Sequence, residues 1–200
     1  MEEVEIGMKI KQSKEECEKI LLANGFEEFF KTVTRDIYFA KPSVDLTQMS
    51  EYEIKSSCVR IRNFEGVQNL KLLSEDCQGQ IKVSSLTELS DWIQKLKAAG
   101  FVEVIDTRKT DWIYRKGTEW HQLQDIKHVG LLDYCYDESI FGLSEDEQFD
   151  ILKQKLINLG FELEHEEGVD KLRTLIHKEY KFSKNQNGKY EYQKGTNIQA

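Results

Sequence analysis

Polar and apolar residues alternate with a period of two along much of the chain, which is the pattern of strands that have one covered face. The predicted strands span residues 2–12, 27–40, 52–63, 67–74, 79–84, 101–109, 111–116, 119–126 and 131–137. Turn residues such as Glu65-Gly66 separate several of them. The alternation therefore predicts an antiparallel sheet with an apolar side under helices and a polar side that faces water or a lumen.

Three helices are predicted by the same start and stop signals. Each begins with a serine followed three residues later by a glutamate, a capping box, and each ends in Gly-Phe, where glycine adopts the left-handed conformation. The helices run from Ser13 to Gly25, from Ser85 to Gly100 and from Ser144 to Gly160. We also expect a shorter helix at 169–177 and a loop at 41–50.

Composition narrows the class of protein. A chain of 200 residues predicts one domain, and the net charge of -8 argues against a general nucleic-acid binder. No apolar run approaches the roughly 20 residues of a membrane span, so a membrane partner is not expected. The four cysteines are far apart and predict a reduced, cytoplasmic protein. The four histidines are expected to have surface or hydrogen-bonded structural roles.

Basic residues recur on the polar sides of the predicted strands. Arg60 and Arg62 share one side of a strand whose other side carries Val59 and Ile61. Clustered like charges repel by several kcal/mol at an effective dielectric of about 20, so the cluster is explained best by a bound polyanion. The alternative is an ordinary half-solvated sheet whose polar side faces water.

The chain resembles the CYTH superfamily, which includes class IV adenylate cyclases, thiamine triphosphatases and inorganic tripolyphosphatases. The matching phrases occur in the family's order along most of the chain. They are Glu3-x-Glu5, Asp36-Ile37-Tyr38-Phe39 with Pro42, Val59-Arg60-Ile61-Arg62, Asn69-Leu70-Lys71, Arg108 and Leu123-x-x-Ile126-x-x-Val129-Gly130.

The resemblance implies an α+β fold, an eight-stranded antiparallel β-barrel that forms a tunnel with helices packed outside. The tunnel domain would span residues 1–182, with a polar, flexible tail at 183–200. Glu3 and Glu5 would bind Mg²⁺ or Mn²⁺. The residues expected to bind the triphosphate are Lys9, Arg60, Arg62, Lys71, Lys82 and Arg108. The resemblance identifies no catalytic residue.

Departures from the family pattern cluster at its catalytic positions. Gly7 replaces a lysine, Gln124 an aspartate, Tyr134 and Tyr136 the late acidic pair, Lys82 an acidic residue and Asp106 a lysine. The substitutions leave three functions open. The first is a metal-dependent enzyme of the adenylate cyclase or tripolyphosphatase type, the second a catalytically silent polyphosphate- or nucleotide-binding module, and the third a structural barrel. The expected partner is a triphosphate or nucleotide small molecule, and a homodimer is left open.

Overall fold

A computed structural model describes residues 6–65, 80–126, 129–164, 171–172, 175–176, 180–184 and 190–194. Its helices are α1 (Lys14–Ala23), α2 (Glu51–Ser57), α3 (Leu86–Ala98) and α4 (Glu145–Leu159). Its strands are β1 (Ile6–Lys9), β2 (Glu27–Ala40), β3 (Val59–Glu65), β4 (Gln80–Val83), β5 (Val102–Lys116), β6 (Glu119–Ile126), β7 (Gly130–Asp137), β8 (Tyr180–Lys184) and β9 (Tyr190–Lys194). The predicted α+β class is confirmed.

The main sheet has seven strands in the order β1-β7-β6-β5-β2-β3-β4. The eight-stranded antiparallel barrel is wrong for the described residues, because β1 and β4 are the two edges of an open sheet and β3 runs parallel to β4. Two parallel neighbours cannot be joined by a tight hairpin. Alternation within a strand does not reveal the direction in which its neighbour runs. The strand predicted at 67–74 lies outside the described residues.

Two strand predictions need correction. β5 is one continuous strand where two were expected, and the first part of the strand predicted at 52–63 is helix α2. A capping box starts α2: the Glu53 amide donates to Ser50 Oγ at 3.3 Å, and the Ser50 amide donates to the Glu53 carboxylate at 2.8 Å. This local bonding favours a helical turn directly after the loop.

The predicted helix ends are confirmed. Gly25, Gly100 and Gly160 have φ angles of 82°, 82° and 98°. The amide of the following phenylalanine reaches back to a carbonyl in the last turn in each case, as from Phe26 to Leu21 at 3.1 Å. The left-handed glycine thus turns the chain while the last carbonyls keep their partners.

The chain divides into two compact units. Unit 1 comprises Met1–Thr32 and Lys109–Val169, and unit 2 comprises Val33–Arg108 and Asp170–Ala200. In unit 1 the core joins β1 to α1 and α4 through Ile6, Met8, Ile10, Cys17, Leu21, Leu152 and Leu156. In unit 2 it joins Ile37, Phe39, Ile61 and Val83 of the sheet to Leu89 and Leu96 of α3. The expectation that the apolar side of the strands lies under helices is confirmed, for Ile6 in unit 1 and for Ile61 in unit 2.

The C-terminal part of the chain contains regular structure. Residues 171–172 and 175–176 are helical, which agrees with the helix expected at 169–177. β8 and β9 pair antiparallel, so strand structure enters the stretch expected to be a flexible tail. The domain boundary at 182 stays a prediction. Within the ranges given above, no helix has the length and apolar character of a membrane span.

The α4 cap provides a stability prediction. Ser144 Oγ accepts from the Glu147 amide, and the Ser144 amide donates to the Glu147 carboxylate at 3.0 Å. Ser144→Ala removes this box and is expected to lower the free energy of unfolding by about 1 kcal/mol in urea denaturation. Ser90→Ala is the matched control, because Ser90 is exposed inside α3, where alanine is the better helix former. Equal destabilisation by both substitutions would contradict the capping role.

Candidate functional site

The polar side of unit 2 carries a cluster of basic residues. We call it the basic face and define it as the alternate positions of β2, β3 and β4 that point away from α3. Its members are Thr34, Asp36, Tyr38, Arg60, Arg62, Gln80 and Lys82. In the strand register, Arg62 lies between Asp36 and Lys82, and Arg60 lies between Tyr38 and Gln80. Arg60, Arg62 and Lys82 are therefore brought together on one face.

The two arginines have different partners. Arg62 donates two hydrogen bonds of 2.6 Å to the carboxylate of Asp36, which is buried. Arg60 donates to the Tyr38 hydroxyl at 3.4 Å and to the side-chain oxygen of Gln80, and its guanidinium lies 5.9 Å from the centre of the Tyr38 ring. Burial raises the pKa of Tyr38, so its hydroxyl stays neutral. Within the described chain, Arg60 is therefore bonded to neutral groups only.

Charge and hydrogen-bond donors both favour an anion at the basic face. Its side chains include three cations and one carboxylate, a local excess of two positive charges in a chain of net charge -8. The hydroxyls of Thr34 and Thr107 are buried and have no hydrogen-bond partner among the described residues. Since buried polar groups are nearly always bonded, both hydroxyls could donate to a ligand oxygen.

Arg108 does not lie on the basic face, so the structure does not bring this expected phosphate ligand together with Arg60. Its guanidinium pairs with Glu65 at 2.5 Å, and Glu65 lies on the Ile61 side of β3. Asp106, two residues earlier on β5, accepts from Arg35 at 2.7 and 2.8 Å on that same side. Strand alternation then directs the intervening Thr107 toward the basic face. The cause is the register of β5, which local alternation does not determine.

In unit 1 the polar side of β1 explains one departure from the family pattern. Lys9 lies on this side and pairs with Glu164 at 2.8 Å, while Met8 and Ile10 enter the core. Gly7 lies opposite Tyr134, and a β-carbon at Gly7 would come within 2.6 Å of the tyrosine ring. The missing lysine and the added tyrosine are therefore one coupled change, since the ring occupies the space of a side chain at position 7.

The described part of this polar side does not fit Mg²⁺ or Mn²⁺. Asp111 is buried and accepts hydrogen bonds from Gln122, at 2.9 Å, and from Gln124, while Lys109 Nζ lies 3.9 Å from it. A carboxylate surrounded by N–H donors and an ammonium group is a poor ligand for a divalent cation. The expected metal ligands Glu3 and Glu5, and the expected phosphate ligand Lys71, lie outside the described residues.

A second polar cluster lies on the helix-covered side of unit 1. His121 contacts Asp133 through Nδ1 at 2.6 Å and Glu119 through Nε2 at 3.2 Å, and Lys155 pairs with Glu119 at 2.8 Å and with Asp137. Burial alone would lower the pKa of His121, but the two carboxylates outweigh it and raise the pKa to about 9. The hydrogen-bonded structural role expected for the histidines is confirmed for His121.

Sequence reasoning missed this cluster. The β6–β7 pairing is continuous, so no register shift brings Asp133 to the polar side, and Asp133 contacts His121 instead. The available signal was the β6–β7 hairpin itself. Its register places His121 opposite Cys135, and alternation places Asp133 on the same side as Cys135.

No family model and no curated protein matches this chain. Solved structures do match it. The PH1819 protein of Pyrococcus horikoshii matches with a TM-score of 0.56 and 20% identity, over 88% of this chain and 99% of its own. The PH1012 protein of that organism has a TM-score of 0.54 and 17% identity, over 84% and 99%. A Vibrio parahaemolyticus protein described as a "putative adenylate cyclase" has a TM-score of 0.51 and 14% identity, over 85% and 96%.

At these identities the likeness is one of fold. It agrees with the CYTH-like fold expected from the sequence phrases, and that expectation is confirmed at the level of the fold. The chemistry of the site has to be argued from this chain's own residues.

Proposed function

We propose that this protein binds a triphosphate-containing small molecule at the basic face, through Arg60, Arg62 and Lys82. The observation that carries the proposal is the alignment of these three cations on adjacent strands with a local excess of positive charge. A guanidinium donates two parallel hydrogen bonds to one phosphate, and Lys82 adds a point charge. The hydroxyls of Thr34 and Thr107 supply further donors to phosphate oxygens.

Arg60 would be the principal ligand. Its hydrogen bonds go to neutral oxygens, so a phosphate gains the full attraction of its charge. Arg62 already donates two hydrogen bonds to the Asp36 carboxylate. A phosphate must therefore share Arg62 with that carboxylate or displace the carboxylate from it. The binding residues therefore contribute unequally, although both arginines come from the same sequence phrase.

We also propose that the protein turns over the bound triphosphate. This turnover would be of the adenylate cyclase or tripolyphosphatase type and would need Glu3 and Glu5 as ligands of Mg²⁺ or Mn²⁺, which neutralises phosphate charge when bound. The alternative is a catalytically silent binding module. Gln124 and Tyr134 favour it, because an amide and a ring stand where the family has carboxylates. The cytoplasmic location, the homodimer and the binding roles of Lys9 and Lys71 stay predictions.

A thermal-shift screen with tripolyphosphate, ATP and thiamine triphosphate tests the binding. A ligand present at a hundredfold excess over its dissociation constant stabilises the folded state by about 2.7 kcal/mol, so we expect a clear rise in melting temperature with tripolyphosphate in EDTA. Sulfate at equal ionic strength is the control for general salt effects. An unchanged melting temperature at saturating tripolyphosphate would contradict both the binding module and the enzyme.

A phosphate-release and cyclase assay with Mg²⁺ or Mn²⁺ then separates the two functions. We expect slow or undetectable turnover, because each 1.4 kcal/mol of lost transition-state stabilisation costs about tenfold in rate. Fast turnover that is abolished by Glu3→Gln or Glu5→Gln would establish the enzyme and contradict the silent module.

A further inference from the structure

Three metal-binding side chains meet in the core of unit 1, on the helix-covered side of the sheet. One ligand atom from each of His121, Asp133 and Cys135 lies within 4.8 Å of the other two, and all three residues are buried. We propose that His121, Asp133 and Cys135 form a binding site for a Zn²⁺-type divalent cation, distinct from the Mg²⁺ or Mn²⁺ expected from Glu3 and Glu5.

The unsatisfied oxygen of Asp133 is the observation that points to a ligand. Oδ2 of Asp133 contacts His121 Nδ1, but Oδ1 is buried and has no hydrogen-bond partner in the described part of the chain. A buried polar atom without a partner costs about 1–3 kcal/mol, and more when the group is charged. A cation held between Asp133 and its two neighbours removes this cost.

The contacts around His121 suit a metal ligand. A histidine that binds zinc usually donates its other ring N–H to a carboxylate, which fixes the tautomer and the ring orientation. Glu119 is placed to accept from Nε2 at 3.2 Å, and Lys155 holds Glu119 at 2.8 Å. Nδ1 is then the ligand atom, and it faces Asp133.

Binding requires a small rearrangement. Nδ1 of His121 lies 2.6 Å from Asp133 Oδ2, a hydrogen-bond distance, whereas two ligands of a tetrahedral zinc ion at about 2.0 Å are about 3.3 Å apart. The ion therefore replaces the proton between them and separates the two atoms by less than an ångström. The carboxylate would bind the ion through both oxygens, so Oδ1 gains the partner that it lacks, and Nδ1, Oδ1, Oδ2 and the Cys135 sulfur make up four ligand atoms. Cys135 binds as the thiolate, so metal uptake releases protons.

The donor atoms favour Zn²⁺ over Mg²⁺, and a nearby cleft opens toward the site. Imidazole and thiolate are ligands of zinc and related transition metals, whereas Mg²⁺ takes oxygen ligands. A cleft of about 340 Å³ in unit 1 is lined in part by Phe26, Glu119 and Lys155. Glu119 and Phe26 line this cleft and both contact His121, so the cleft reaches side chains that cover the imidazole.

The test uses the untagged full-length protein, stripped with EDTA and titrated with Co²⁺ and then Zn²⁺. We expect one Co²⁺ per chain with a thiolate-to-cobalt charge-transfer band and the visible spectrum of a tetrahedral site. Zn²⁺ should abolish that band and raise the melting temperature. A titration without a stoichiometric thiolate band overturns the proposal, whether or not any variant folds.

Variants locate the site. Cys135→Ala should lose the charge-transfer band and the Zn²⁺-dependent rise in melting temperature. Cys58→Ala is the matched control, because Cys58 is also a buried thiol but belongs to unit 2 and should keep both signals. Glu119→Gln, a positioning variant, should keep the band and weaken Zn²⁺ about 10- to 100-fold. A band that survives in folded Cys135→Ala would overturn the assignment.

Discussion

Replacing Asp36 by asparagine is expected to lower the stability of the protein and at the same time raise its affinity for tripolyphosphate. Asp36 is buried and receives both arms of the Arg62 guanidinium. Removing one partner of a buried ion pair leaves the other charge uncompensated, so we expect a loss of about 3 kcal/mol in the free energy of unfolding. The affinity should rise about tenfold, or 1.4 kcal/mol, because the carboxylate no longer competes for Arg62 or repels the phosphates.

Glu65→Gln is the matched control for Asp36→Asn. It also removes a carboxylate that pairs with an arginine of unit 2, but the pair with Arg108 lies on the opposite side of the sheet and Arg108 is 66% exposed. An exposed pair contributes up to about 1 kcal/mol, so stability and affinity should change little. Weaker tripolyphosphate binding by Asp36→Asn would contradict the competition and would place Asp36 among the groups that hold the ligand.

The second large effect is expected in the core of unit 1. His121→Leu leaves Asp133 buried and without its cationic partner, since both residues are almost completely inaccessible. We expect a loss of about 3–5 kcal/mol in the free energy of unfolding, measured by urea denaturation in EDTA so that metal binding does not contribute. The double variant His121→Leu/Asp133→Leu should recover part of this loss, because no unpaired charge remains.

Lys97→Ala is the control for the His121 variant, because the Lys97–Glu103 pair is 3.9 Å long and Lys97 is largely exposed. Its effect should stay below about 1 kcal/mol. Equal losses in the His121 single variant and in the double variant would show that packing, rather than the unpaired carboxylate, determines the stability of this core.

The sequence predicted the helices well where their signals are local. A serine cap and a Gly-Phe ending act within a few residues, and all three predicted helices begin after the expected serine and end at the expected glycine. The full capping box forms in α1 and α4, whereas in α3 the Glu88 carboxylate accepts from the Ser84 amide instead of the Ser85 amide.

Helix α2 was missed although Ser50 and Glu53 form the same capping box. Its residues also alternate between polar and apolar, with Tyr52 and Ile54 two apart, which favoured a strand. The helix exposes Tyr52 and buries Ile54, so period two was a coincidence there.

The basic face was predictable in part, because alternation within one strand is also a local signal. Alternation within one strand places Arg60 and Arg62 on the same side, and it correctly places Asp106 with Arg108. Alternation does not determine which of these two groups of side chains lies on the helix-covered side of the sheet and which lies on the basic face. The contacts of Asp106 with Arg35 and of Arg108 with Glu65 decide that, and both join residues distant in sequence. The buried cluster at His121 depends likewise on pairing between strands.

Calorimetric titration of tripolyphosphate into wild-type protein, Arg60→Ala and Arg108→Ala, in EDTA at low salt, tests the central claim most directly. Both substitutions remove one arginine of unit 2, but Arg60 lies on the basic face and Arg108 on the other side of the sheet. Hydrogen bonds to charged groups contribute about 1.5–3 kcal/mol, so Arg60→Ala should weaken binding about 10- to 100-fold while Arg108→Ala leaves it unchanged. Wild-type protein that binds no tripolyphosphate, or equal losses in the two variants, would contradict a triphosphate site on the basic face.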